Sequence, residues 1–123
     1  EEKFNDLLAF QMNSINYSVG IRDILFINCE FYDAIITNSQ FNSVTFKATS
    51  LHIKKLKNTT FDNCLFENCT LFLTKNSTAK FNHCIFKNVK FVRYNKYKQT
   101  HNILNTDLEE GLLFDYCKFE NTL

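Results

Sequence analysis

The chain has no Trp, no Pro and only two Gly in 123 residues. A loop-rich sandwich or barrel spends Gly and Pro on its turns, so this economy argues against both. No apolar run approaches the roughly 18 residues of a membrane span, and no secretory leader pattern is present. The first residue is Glu1 rather than Met. An excised segment is therefore expected, with any leader or anchor outside it. An excess of one charge is missing too: 14 basic and 13 acidic residues leave +1. That balance does not suggest a nucleic-acid binder and argues against an acidic DNA mimic. No CxxC pair or Cys/His cluster has metal-ligand spacing, and no Gly-rich loop could cradle a phosphate. Neither a metal nor a cofactor is expected. The length suits one domain whose core must be buried efficiently.

What the chain does have is fourteen Phe, and they keep a register of five. Stepping by five from Phe26 gives Phe31, Ile36, Phe41, Phe46, Leu51, Leu56, Phe61, Phe66 and Leu71. Asn76 breaks the run, and Phe81, Phe86 and Phe91 resume it in phase. Phe114 and Phe119 restart it, so eleven of the fourteen Phe are centres. Two residues before the centres the chain is mostly small or β-branched, as at Cys29, Ala34, Val44, Thr49, Cys64, Cys69, Cys84 and Val89. Two residues after them stand Asn28, Asp33, Asn38, Asn58, Asn63, Asn68, Asn88 and Asn121. Five matches neither the helical period nor that of a strand. Asn tolerates left-handed backbone, so each pentad reads as a short extended piece followed by a corner. Four pentads close a square coil, and coils stack about 4.8 Å apart, the spacing of neighbouring strands.

The frame predicts which residues lie above one another. Phe26, Phe46, Phe66 and Phe86 should form one ladder, Phe41, Phe61 and Phe81 a second, and Phe31, Leu51, Leu71 and Phe91 a third. The fourth is poor: Ile36, Leu56, then Asn76, with Lys54 at an inward position. A bulge is expected there, with the Lys54 ammonium in solvent.

Both ends need cover. Residues 1–20 are read as an N-terminal cap in which Phe4, Leu7, Leu8, Met12 and Ile15 have helical spacing, predicting a short amphipathic helix. Residues 21–123 are read as the solenoid, with an insertion at 92–111 where Thr106 and Glu109 have capping-box spacing and Gly111 could end a turn.

Candidate functional residues are few. Cys29, Cys64, Cys69, Cys84 and Cys117 all fall inward and read as free structural thiols, although Cys64 and Cys84 stack one coil apart. Asn16, Asn58, Asn68 and Asn76 open Asn-X-Ser/Thr sequons, and Asn58 and Asn68 point outward. His52, His83 and His101 look isolated, and no catalytic constellation forms. Lys54, Lys55 and Lys57, and Arg93, Tyr94, Lys96, Tyr97 and Lys98, could hold phosphates; a solvated surface is the preferred reading. Phe72 is off the inward frame. It either contacts a partner, near Asn68, or folds over the broken corner near Asn76.

The repeat resembles the pentapeptide-repeat right-handed quadrilateral β-helix over residues 21–95 and 112–123, with Phe where that class usually has Leu. Within the class, FINCEF (26–31), FDNCLFENCTLF (61–72), FNHCIFKNVKF (81–91) and FDYCKFENT (114–122) look most like the fourth luminal domain of the synaptic vesicle glycoprotein 2 (SV2) family. That resemblance implies a non-enzymatic loop of a transporter-like membrane protein, exposed in the vesicle lumen and carrying N-glycans. It implies contact with the membrane only through flanking segments. It also implies a protein partner such as botulinum neurotoxin type A, added as a strand at the solenoid edge, with Asn68 and Phe72 at the family's glycan-and-Phe segment. In the family that segment closes the last coil, whereas here repeats continue. The alternative is a bacterial or intracellular pentapeptide-repeat protein acting as a scaffold or a topoisomerase-binding module.

Overall fold

A computed structural model describes residues 2–5, 21–93 and 111–122 of the chain. The five-residue register becomes an all-β parallel solenoid of about four turns, whose strands form three sheets. The first face stacks Glu2–Asn5, Ile24–Ile27, Thr45–Lys47, Leu65–Glu67, Ile85–Lys87 and Lys118–Glu120. The second stacks Glu30–Thr37, Ser50–Lys57, Thr70–Leu73 and Lys90–Arg93. The third stacks Ile21–Arg22, Gln40–Asn42, Thr59–Asp62, Ala79–Asn82 and Leu112–Asp115. The far halves of Glu30–Thr37 and Ser50–Lys57 supply a fourth wall, pairing Ile36 with Leu56 and Thr37 with Lys57.

Corners explain why Gly is dispensable. Ten of the fourteen positive-φ residues among those described are Asn or Asp, and none is Gly. All but Asn76 lie two after a centre. Short polar side chains bear the left-handed conformation best among non-Gly residues. Most corner amides donate to the next coil as well: Asn28 N–H donates to Lys47 O at 2.9 Å, and Asn63 N–H to Asn82 O at 2.9 Å. Side-chain amides link corners from coil to coil. Asn58 Nδ2 donates to Asn38 Oδ1 at 2.9 Å, and Asn88 Nδ2 to Asn68 Oδ1 at 3.1 Å.

The three ladders stand as the frame predicts. Phe26, Phe46, Phe66 and Phe86 stack with centroids 5.0–5.2 Å apart, and Phe119 adds a rung at 5.1 Å. Phe41, Phe61 and Phe81 stack at 4.7–4.8 Å, and Phe114 follows at 5.0 Å. Between faces the rings meet edge to face, as Phe81 meets Phe86 at 5.4 Å and 75°. Offset stacks up the coil and edges across it satisfy the ring quadrupoles in both directions. Small residues two before each centre fill the space between: Val44, Cys64 and Cys84 are buried in one column, Cys29, Thr49, Cys69 and Val89 in another. Buried Thr49 is paired twice, accepting from Cys29 N–H at 3.3 Å and donating to Lys47 O at 2.8 Å.

The poor side breaks as expected. Ser50–Lys57 runs straight through the position where a corner would fall, so Ile53 turns inward and Lys54 outward. The register slips on both sides of the Ala34–Ile53 pair to absorb the change. One coil on, Asn76 turns out and buried Ser77 takes the inward place, its Oγ donating to Thr74 O at 2.8 Å.

Two expectations about the ends are corrected. Glu2–Asn5, assigned to a helix, is a strand paired in parallel with Ile24–Ile27, because the edge amides of the first coil take a strand partner. The rest of the expected helix lies outside the described residues. At the other end, Val92 and Arg93 belong to Lys90–Arg93 rather than to the insertion. The capping-box residues Thr106 and Glu109 are also outside the described residues. Past the insertion the frame resumes: Phe81 pairs with Phe114 and Phe86 with Phe119, 33 positions apart instead of 20. Among the described residues there is no helix.

Candidate functional site

Residues one after the centres of the second face point outward, and the coil repeat stacks them. His52 lies flat on Phe72, centroids 4.2 Å apart at 9°, and Tyr32 tilts against His52 at 6.0 Å. Backbone pairing extends the column to Val92. Phe72 is therefore half-buried in an outer column and does not fold over the corner at Asn76. His52, which looks isolated in sequence, is its middle rung. His83 stacks in the same way on exposed Tyr116 at 5.1 Å and 7°. His101 lies outside the described residues. Applying the 20-residue step to residues beside the centres, as well as to the centres, would have revealed the column of Tyr32, His52 and Phe72, whereas His83 and Tyr116 meet only across the 33-residue step that spans the insertion.

The sequon residues divide. Asn58, Asn68 and Asn76 are exposed at positive-φ corners. Asn16 is outside the described residues. The Asn68 N–H donates to Lys87 O at 2.8 Å, which fixes the corner leading into Thr70–Leu73 and so into Phe72. The Asn58 N–H donates to Thr78 Oγ1 at 2.7 Å, so the hydroxyl of one sequon supports the Asn of another. The outward column Asn28, Ala48, Asn68, Asn88 and Asn121 is interrupted only at Ala48.

None of the five cysteines forms a disulfide, so Cys64 and Cys84 are not bridged. Their thiols donate to carbonyls of the coil beneath, Cys69 Sγ to Phe46 O at 3.1 Å and Cys84 Sγ to Phe61 O at 3.3 Å. Burial pushes the Cys69 thiol up to about 11. Contact with Cys64, then burial, pushes Cys84 up as well. Such thiols are poor nucleophiles at neutral pH. A pH dependence follows. An unfolded thiol ionises near about 8.5, whereas folded Cys69 keeps its proton until about 11. The stability from this site is fully present below the unfolded value and is lost as pH rises through 11, a total of about 3 kcal/mol. Urea titrations at pH 8 and pH 10.5 should show the midpoint falling less for Cys69→Val than for the unaltered chain. Equal falls would assign the pH effect elsewhere.

Among the described residues no group of three or more His, Cys, Asp or Glu could hold a metal ion. The one ion pair found among them, Lys80 Nζ to Asp115 Oδ2 at 3.4 Å, bridges coils on the surface.

No protein-family model and no curated protein sequence matches the chain. Its structure is similar to that of QnrB1, a plasmid-mediated fluoroquinolone resistance protein, with a TM-score of 0.58 and 13% identity. The match covers 98% of this chain and 57% of that one, so the chain spans a little over half that protein's length. The likeness establishes the fold, a parallel β-solenoid.

Proposed function

We propose that this domain is a non-enzymatic recognition module, a pentapeptide-repeat scaffold that binds a folded protein through its outer surface. The filled interior carries this reading. Phe31, Phe81, Phe86 and Phe91 are wholly buried in a continuous apolar stack, so chemistry has no chamber there. The outside offers rigid sheet faces, on one of which Tyr32, His52 and Phe72 form a partly exposed column. Rigid aromatic anchors lose little entropy on binding, which suits a protein contact. The scaffold and topoisomerase-binding reading draws support from the fold shared with a fluoroquinolone resistance protein. A type II topoisomerase is therefore the first partner to test.

A second reading is favoured by the exposure of Asn58, Asn68 and Asn76. In it the domain is a glycosylated luminal loop of an SV2-like transporter of synaptic vesicles. A partner such as botulinum neurotoxin type A adds a strand to the outermost strands, with Asn68 and Phe72 alongside. Domain made in animal cells and in bacteria, immobilised and exposed to DNA gyrase and to the toxin's receptor-binding domain, separates the two. Saturable binding of gyrase supports the first. A glycosidase-sensitive mobility shift together with toxin binding supports the second. Phe72→Ala should weaken whichever complex forms by about tenfold, or about 1.4 kcal/mol. If neither protein binds, both named partners fall.

A further inference from the structure

Neither reading uses the cationic group on the fourth wall. Lys54, Lys55 and Lys57 from one strand and Lys75 from the next coil line a cleft of about 330 Å³, together with Thr74 and Ser77. No Asp or Glu lines it. The broken frame assembles this group. The straight run through Ile53 turns Lys54 outward, and the turn at Lys75 and Asn76 sets a fourth cation one coil along. The wall is tied across coils: Thr74 Oγ1 donates to Lys54 O at 3.1 Å, and Lys57 Nζ donates to Asn76 O.

Two lysines of the first face are set differently. Lys47 pairs in register with Glu67, Glu67 with Lys87, and Lys87 with Glu120, so both of these cations have a carboxylate one coil away. Like charges without such interleaving repel, and the repulsion is relieved when an anion enters. Ammonium groups on flexible stems suit phosphate oxygens as point charges and need no planar partner. The cleft is small, at the lower end of small-molecule sites. The four lysines line one small cleft, so a compact ligand fits better than a nucleic-acid strand.

We propose that this cleft binds a compact polyanion carrying two or more phosphate groups, either free in solution or displayed as a polyphosphorylated lipid headgroup. It operates whichever protein partner the faces take. The test titrates the domain with tripolyphosphate and with inositol hexakisphosphate by calorimetry. In parallel, the domain is sedimented with phosphatidylcholine vesicles with and without phosphatidylinositol bisphosphate. The variant Lys54→Gln/Lys55→Gln/Lys75→Gln removes three exposed cleft cations. Lys47→Gln/Lys87→Gln/Lys118→Gln removes the same charge from the first face. Cleft substitution should weaken polyphosphate binding about tenfold or more, and first-face substitution less than about twofold. Tripolyphosphate should also raise the melting temperature of the unaltered chain and not that of the cleft variant. Binding to soluble polyphosphates alone assigns a free ligand. Vesicle binding competed by inositol hexakisphosphate assigns a headgroup. Absence of binding to every probe, or equal losses in the two triple variants, overturns the proposal.

Discussion

Phe66→Ala is expected to cost about 3–5 kcal/mol, the cost of truncating a buried aromatic whose cavity cannot collapse. Phe66 is 1% exposed. It stacks on Phe46 and Phe86 at 5.0 Å and meets the edges of Phe61 and Phe81 at 5.8 and 6.0 Å. A solenoid backbone fixed by coil-to-coil hydrogen bonds cannot close around the void, so the transfer loss and the cavity cost add. For a chain of this size the melting temperature should fall by about 10–20 °C. Phe119→Ala makes the comparison, because Phe119 is 42% exposed and loses far less burial. Thermal unfolding by circular dichroism checks both. A shift under about 3 °C for Phe66→Ala would mean the ladder does not hold the fold together.

The second large effect is expected at Gly111, where the chain re-enters the frame. Its φ is not positive, so conformation does not require glycine there. Space does. A Cβ would lie 2.3 Å from the Ser77 carbonyl oxygen and 2.9 Å from Thr78 Cγ2. The carbonyl cannot retreat easily, because Thr78 N–H donates to Leu56 O on one side and Gly111 O accepts from Ala79 N–H on the other, each at 2.9 Å. Gly111→Ala should therefore destabilise by about 1–3 kcal/mol, as overpacking does. It should also release Leu112–Asp115 first. Hydrogen exchange should show lost protection in that strand, while Leu113→Ala, at a 56% exposed position, stays within about 0.5 kcal/mol of the unaltered chain. Unchanged protection in Gly111→Ala would show that the re-entry has slack.

The outer aromatic column shows where a one-dimensional frame falls short. The same 20-residue step that pairs Phe46 with Phe66 also pairs His52 with Phe72. Yet Phe72 considered singly looks like an exposed anomaly. The lysine cleft was harder to see. Lys54, Lys55 and Lys57 are neighbours in sequence, but Lys75 joins them only because the corner at Ile53 straightens and the turn at Asn76 replaces a rung. The expectation for Glu2–Asn5 failed for another reason. Apolar residues at helical spacing describe how a segment could fold alone, whereas Glu2–Asn5 answers the unpaired edge of Ile24–Ile27.

Sequence alone determined the five-residue period, and with it the inward Phe, the Asn corners and the parallel ladders, because each pentad meets the same demands. It needs a large apolar centre, a small inward neighbour and a residue that tolerates left-handed backbone. Tertiary structure decided everything at the break in that period. Which residue turns inward there, where four lysines line one cleft and how Gly111 packs on Ser77 depend on register slips between coils. No single pentad contains that information.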